Sequence, residues 1–166
     1  MAELLPSERL QPSLLDRLCD DDPANSKESR EQRVLSVKRL RQSVLRDIAW
    51  LLNAVALESA QSLENYPEAA QSVINFGIPD LSGHTVSNTD TGEIEKRIRK
   101  ALLDFEPRIL PNTLRVKVVS SDAYNHNAMN FDIEGDLWMQ PLPLRLYLKT
   151  QLDLETGNVV VMDNLG

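Results

Sequence analysis

The hydrophobic pattern of this chain changes period at Glu106-Pro107-Arg108, and that switch constrains the fold more than any other feature. Before it, Ile94, Ile98, Ala101, Leu102 and Phe105 recur at three- and four-residue spacing, one face of a helix. After it, Leu114, Val116 and Val118 alternate with Arg115 and Lys117, the signature of a half-buried strand. Proline cannot continue a helix and pushes the residue before it out of the helical basin. The pattern therefore predicts a forced helix stop, with an acid and a base flanking a rigid corner. Asp90 and Glu93, three apart, predict a capping box at the start of that helix.

The elements on either side divide by type. Leu14, Leu15 and Leu18 share one side of a short amphipathic helix between Leu10 and Cys19, which Asp20-Asp21-Asp22-Pro23 ends. A helix that short is marginal in water unless its apolar face is packed. Its partner is either the chain's own core or another subunit, and a polar linker from Asp20 to about Gln32 separates it from the rest. From about Val34 to Leu57, Val37, Leu40, Val44, Ile48, Leu51 and Val55 mark a long core-facing helix, with Lys38, Arg39, Arg41, Arg46 and Asp47 on its other face. Tyr66-Pro67 opens a short turn-rich or helical piece, and Asn75 to Gly83 has the glycine and proline density of a defined loop. Downstream, Phe131 to Met139 and Leu142 to Leu154 alternate as two more strands. The prolines at 141 and 143 place the start of the latter at an edge or outside the sheet. A turn at Glu155-Thr156-Gly157-Asn158 leads to a last strand, Val159 to Met162.

Helices first and strands last predict an α+β fold, with N-terminal helices packed on one face of a mainly antiparallel sheet of about four strands. Residues 1–32 read as an arm and linker, and residues 33–166 as a single domain of ordinary size.

Charge narrows the function. A formal net charge of −7 argues against nucleic acid, whose binding needs a field of Lys and Arg over the phosphates. The charge is uneven: seven bases face three acids between Lys27 and Asp47, against seven acids and two bases from Ser120 onward. Such asymmetry fits either complementary partner surfaces or solvated faces of helix and sheet. Cys19 is the only cysteine, so an intrachain disulfide is excluded and the cytosol fits. The start lacks a signal-peptide pattern, and the longest apolar run, Ile48 to Leu57, is broken by Asn53 and too short to span a bilayer.

Enzyme signatures are sparse. There is no phosphate-cradling glycine loop, no nucleophile elbow and no metal-binding histidine pair; His84 and His126 both fall in loops. Cys19, on the apolar side of its helix, reads as a small hydrophobe. Asp104 and Glu106 are the nearest candidates for the carboxylate pair of a glycoside hydrolase. Arg108 would lower the pKa a general acid needs raised, and an aromatic content of 5% leaves little to stack on sugars. Glu106 and Arg108 read either as a structural pair satisfying backbone groups at the corner or as an ion pair offered to another subunit.

Five blocks in order, Ser13-Leu14-Leu15-Asp16-Arg17-Leu18, Ser43 to Asn53, Tyr66-Pro67, Ser72 to Gly83 and Phe105-Glu106-Pro107-Arg108-Ile109, resemble the TssE family. TssE is the baseplate subunit of the bacterial type VI secretion system, related to wedge proteins of contractile-tail phages. The resemblance implies a non-catalytic, cofactor-free part of a cytoplasmic injection machine whose baseplate docks on an inner-membrane complex. It would join a wedge made with TssF, TssG and TssK to the first ring of the TssB and TssC sheath, with no nucleic acid bound and no direct insertion in the membrane. The family's sheath-facing motif maps onto Glu106, Pro107 and Arg108, and a lysozyme-like peptidoglycan hydrolase is the alternative. Two routes of assembly follow as expectations: a sheath strand adding to an open sheet edge, and the Leu14, Leu15 and Leu18 face docking on the wedge.

Overall fold

The computed structural model describes residues 13–19, 37–81, 90–119, 128–139 and 142–163. Among the described residues four α-helices, α1 (Leu14–Leu18), α2 (Val37–Leu52), α3 (Pro67–Ala70) and α4 (Thr91–Phe105), precede four strands, β1 (Arg115–Val119), β2 (Ala128–Leu137), β3 (Leu144–Asp153) and β4 (Val159–Asp163). The strands form one antiparallel sheet in the order β1-β2-β3-β4, a meander in which each strand pairs with the next. The fold class is α+β, as the order of periodicities predicts.

Strand parity separates the two faces of the sheet. Phe131, Ile133, Gly135 and Leu137 of β2 pair with Thr150, Leu148, Leu146 and Leu144 of β3, and these point into the core together with Val116 and Val159. Val44, Ile48 and Leu51 of α2 and Ile98 and Leu102 of α4 close the core from that side. Thr150 is polar at a core position and is buried because its hydroxyl donates to the Phe131 carbonyl at 3.1 Å. On the other face, Asp132 and Glu134 of β2 lie between Lys117 and Arg115 of β1 and Lys149 and Tyr147 of β3. That face is a lattice of opposite charges suited to water.

Several local expectations need adjustment. Asp90 caps α4 by accepting from the Gly92 and Glu93 amides at 2.9 and 3.3 Å, but Glu93 turns outward to Arg97 at 2.9 Å, so the box is half made. Pro143 precedes β3, so the start of that segment lies outside the sheet as expected, and β3 itself is a central strand. Cys19 is exposed as the residue ending α1 and is not a buried hydrophobe. His84, His126 and the polar linker lie outside the described residues.

The two sheet edges are finished differently. At the β1 edge, α4 supplies side chains that replace a neighbouring strand: Glu95 accepts from the Val118 amide at 2.8 Å, and Arg99 donates to the Leu114 carbonyl at 3.2 Å. At the β4 edge, Asn53 bonds both polar groups of the Val159 peptide, donating to its carbonyl at 2.9 Å and accepting from its amide at 2.9 Å. The Asp153 amide donates to the Asn158 carbonyl, and antiparallel alternation then turns the Val159 and Val161 peptides away from β3. Asn53 therefore covers the start of this edge, and Val161 continues it. At the far end, Asp163 pairs with Arg41 of α2, so α2 runs antiparallel alongside β4.

Candidate functional site

The corner between α4 and β1 is built around Glu106. Its amide closes α4 on the Leu102 carbonyl at 2.9 Å, and its own carbonyl accepts from Ile109 at 3.2 Å. Pro107 has no amide to satisfy, which suits the position between them. The Arg108 carbonyl accepts from Trp138 at 2.7 Å, and the Leu110 amide donates to Asp136 at 2.8 Å, seating the corner on the end of β2. Helix stop and strand entry are thus one hydrogen-bonded unit.

Glu106 itself is only 3% exposed. Arg108 grips it with two donors, Nε to Oε1 and Nη2 to Oε2, both at 2.6 Å, and the Arg108 amide adds a third bond at 3.2 Å. This planar, two-pronged match is what a guanidinium offers a carboxylate. The same guanidinium reaches α2, donating to Asp47 Oδ2 at 2.6 Å and to the Ser43 hydroxyl at 3.3 Å. Burial opposes the charge on Arg108, but the bonds and attraction of Glu106, then of Asp47, outweigh it and hold its pKa above the ordinary arginine value.

The chain of charges continues past Asp47. Its other oxygen, Oδ1, accepts from Arg46 Nε at 2.9 Å, and Arg46 Nη1 donates to Asp16 of α1 at 2.7 Å. Arg46 Nη2 lies 2.9 Å from the same Asp47 oxygen yet makes no hydrogen bond of its own. The guanidinium also lies 5.2 Å from the centre of the Trp50 ring, within cation–π range. Asp16 is in turn held by the Ser13 hydroxyl at 2.6 Å. Burial works against its charge, but the bonds from Ser13 and Arg46 prevail and keep its carboxyl below the usual aspartate range.

The site residues expected from the sequence therefore fall in two groups. Glu106 and Arg108 pair with each other, Glu106 inside and Arg108 at the surface with its side chain 24% exposed; Pro107 is exposed. Leu14, Leu15 and Leu18 are 72%, 37% and 74% exposed, so the arm does not bury its apolar face in its own domain. It is held by charge, through Asp16, and presents the leucines outward. Helical periodicity puts Asp47 and Arg46 on the polar face of the long helix and carries no sign that they join the two groups. The one local hint is that Arg46 and Asp47 together interrupt an otherwise apolar stretch from Val44 to Leu52. Among the described residues no cluster of three His, Cys, Asp or Glu is placed to hold a metal, and no helix is long and apolar enough to cross a membrane.

The family model of the baseplate wedge protein gp25 matches residues 38–142, more than half the chain. The chain belongs to the gp25 baseplate wedge family. That is the family of TssE, and its members are structural components of phage-tail-like baseplates. No curated protein and no solved structure matches the chain significantly. The gp25 match begins at the start of α2 and ends just before β3, so it contains Asp47, Glu106, Pro107 and Arg108, whereas α1 with Asp16 precedes it. The corner of this gp25-family protein thus lies inside the matched region, and the arm attached to it does not.

Proposed function

We propose that the protein is the TssE subunit of a type VI secretion baseplate, a non-catalytic connector between the wedge of TssF, TssG and TssK and the first ring of the TssB and TssC sheath. It works in the cytoplasm, within a baseplate docked to an inner-membrane complex. The observation that carries this reading is the corner: Glu106, Pro107 and Arg108 stand on a buried, cross-braced ion pair with the Arg108 guanidinium at the surface. Rigid placement of one charged group is what an oriented docking contact requires.

The same geometry weighs against a hydrolase. A general acid must hold a proton and deliver it to a substrate, whereas both Glu106 oxygens accept from Arg108 and the carboxylate is enclosed. Asp104 is taken up by Lys100 at 2.7 Å on the exposed side of α4. We assign sheath contact to the corner of Glu106, Pro107 and Arg108, with Pro107 and Arg108 meeting the sheath and the buried Glu106 holding Arg108 in place, and a sheath strand adding at the β4 edge beyond Asn53. Wedge contact we assign to Leu14, Leu15 and Leu18, whose exposure supports a partner outside the domain.

The test is reconstitution of the wedge with wild-type protein and with Arg108→Lys, each checked for folding. Lysine keeps the charge but lacks the fork that spans Glu106 and Asp47. Wild type should recruit TssB and TssC and the folded variant should fail; equal recruitment would make the corner internal scaffolding. Truncation before about Lys27 should abolish wedge binding with the thermal transition almost unchanged, and a large loss of stability would assign the arm to the core instead.

A further inference from the structure

The chain's basic residues stop at Arg46 and resume only at Lys96, and the stretch from Asn53 to Leu81 holds Glu58, Glu64, Glu68 and Asp80 with no lysine or arginine. Within that acidic frame Val73 is 82% exposed and Ile74 66%. Two adjacent β-branched apolar side chains at such exposure leave apolar surface in water that burial against a partner would remove.

The support under them is rigid. The Ser72 hydroxyl accepts from the Ile74 amide at 3.3 Å. Asn75 is buried, its Oδ1 accepting from the Glu58 amide at 2.9 Å and its Nδ2 donating to the Ala70 carbonyl at 3.0 Å. Phe76 meets Phe105 edge-on with ring centres 5.4 Å apart, which ties the support to the last residue of α4. Ile78 then exchanges bonds with Ala54 and Ala56, both at 2.9 Å, along a parallel bridge. Every backbone neighbour of the pair is fixed, and the pair itself touches water.

We propose that Val73 and Ile74 form a preorganised apolar knob that inserts into a recess of a partner protein, a recess lined by apolar side chains and rimmed by Lys or Arg. The knob supplies desolvated contact at no ordering cost, and Glu58 and Glu68, on the two elements packed beside Val73 and Ile74, supply the charge that selects a basic rim. The acids disfavour nucleic acid and anionic lipid on the same surface. The inference rests on the baseplate reading only in placing the partner within that assembly, and it concerns neither the corner nor the arm.

The experiment replaces Val73 or Ile74, one at a time, with photoreactive benzoylphenylalanine in the full chain, in cells that assemble the machine, with the same probe in place of Leu18 as an independent readout of the arm. The expected result is an adduct from the knob with another protein subunit, mapped to an apolar segment flanked by Lys or Arg. Glu58→Lys/Glu68→Lys should lower its yield about fivefold while the thermal transition stays in place. An adduct at Leu18 with none at either knob position would overturn the knob and leave the baseplate reading intact. The absence of adducts at all three positions would overturn both. A knob adduct with lipid, with a second copy of this chain, or with a surface lacking basic residues would also overturn it, as would a yield indifferent to the charge reversal.

Discussion

Arg108 Nη2 meets Asp47 Oδ2 at 2.6 Å across 61 positions of the chain, and this contact ties the corner to the long helix. With it, two arginines are shared among three carboxylates in the sequence Glu106, Arg108, Asp47, Arg46, Asp16. Each arginine stands between two acids, so Arg108 is the only charged partner of Glu106 and Arg46 the only one of Asp16 within the series, whereas Asp47 is held from both sides. The arm, α2 and the corner are thereby parts of one electrostatic unit whose deepest member, Glu106, is buried and whose outermost, Arg46, lies against solvent.

Removal of Arg108 should cost more than removal of Glu106. Arg108→Ala leaves an enclosed carboxylate without a counter-charge, a loss of about 3 kcal/mol. Glu106→Ala leaves Arg108 its contact with Asp47, and about 1 to 2 kcal/mol is expected. The double variant should fall short of the sum by more than about 1 kcal/mol, because the pair acts as a unit. Urea unfolding of the four proteins measures this; strict additivity would mean that the two side chains do not interact in solution.

Gly77 is irreplaceable for a local reason. Its φ of 138° lies where side chains are strained, and a Cβ there would meet the Ala54 carbonyl oxygen at 2.4 Å and the Ala56 nitrogen at 2.7 Å. Both obstacles are backbone in the parallel bridge, so no rotamer change relieves them. Gly77→Ala should lower stability by at least about 2 kcal/mol, a fall of about 4 to 8 °C in Tm. Gly92→Ala makes the control: a Cβ there meets only the Asp90 carboxylate at 3.3 Å, and a change below about 1 kcal/mol is expected. Equal Tm values for the two variants would contradict the geometry.

Asn53 stands in for a missing strand at the start of the β4 edge. Asn53→Ala should release the Val159 amide, raising its hydrogen-exchange rate while amides at the β2–β3 ladder stay protected. The stability cost should be only about 1 kcal/mol, since water can replace the lost bonds. Unchanged exchange at Val159 would show that the amide has another protector.

What the sequence displays and what it hides divide along the range of the interaction. The proline stop after Phe105 and the alternation in β1 to β4 are local consequences of backbone chemistry, so periodicity reveals both, and with them the α+β class. The match of Glu106 to Arg108 was also visible as spacing, but spacing is silent on burial. Asp47 and Asp16, 61 and 30 positions from the arginines they hold, carry no periodic signal at all. Asn53 read as a polar break in an apolar run because its partner, Val159, is 106 positions away. The arm shows the same limit from the other side: three leucines on one face leave open whether its own core or another subunit covers them, and the anchor by its aspartate carries no pattern at all.

That anchor should respond to acid. The Asp16 carboxyl in the folded protein titrates below its ordinary value of about 3.9, because Ser13 and Arg46 favour the charged form more than burial opposes it. A group depressed in this way contributes stability above its unfolded pKa and loses it as pH falls through the folded one. The contribution of this pair to docking is therefore fully present at neutral pH and is lost progressively as the pH falls below about 3.9. The pair is partly solvated, so the contribution is about 1 kcal/mol or less, and it should fade in about 1 M salt, where screening acts within about 3 Å. Arg46 lies against Trp50, which makes the indole a reporter of this pair. In a Trp138→Phe background, Trp50 fluorescence should change with acid before far-UV circular dichroism does, and Asp16→Asn should show the released signal already at pH 7. A fluorescence change in Asp16→Asn identical to that of the parent would place its origin elsewhere and leave the arm without its latch.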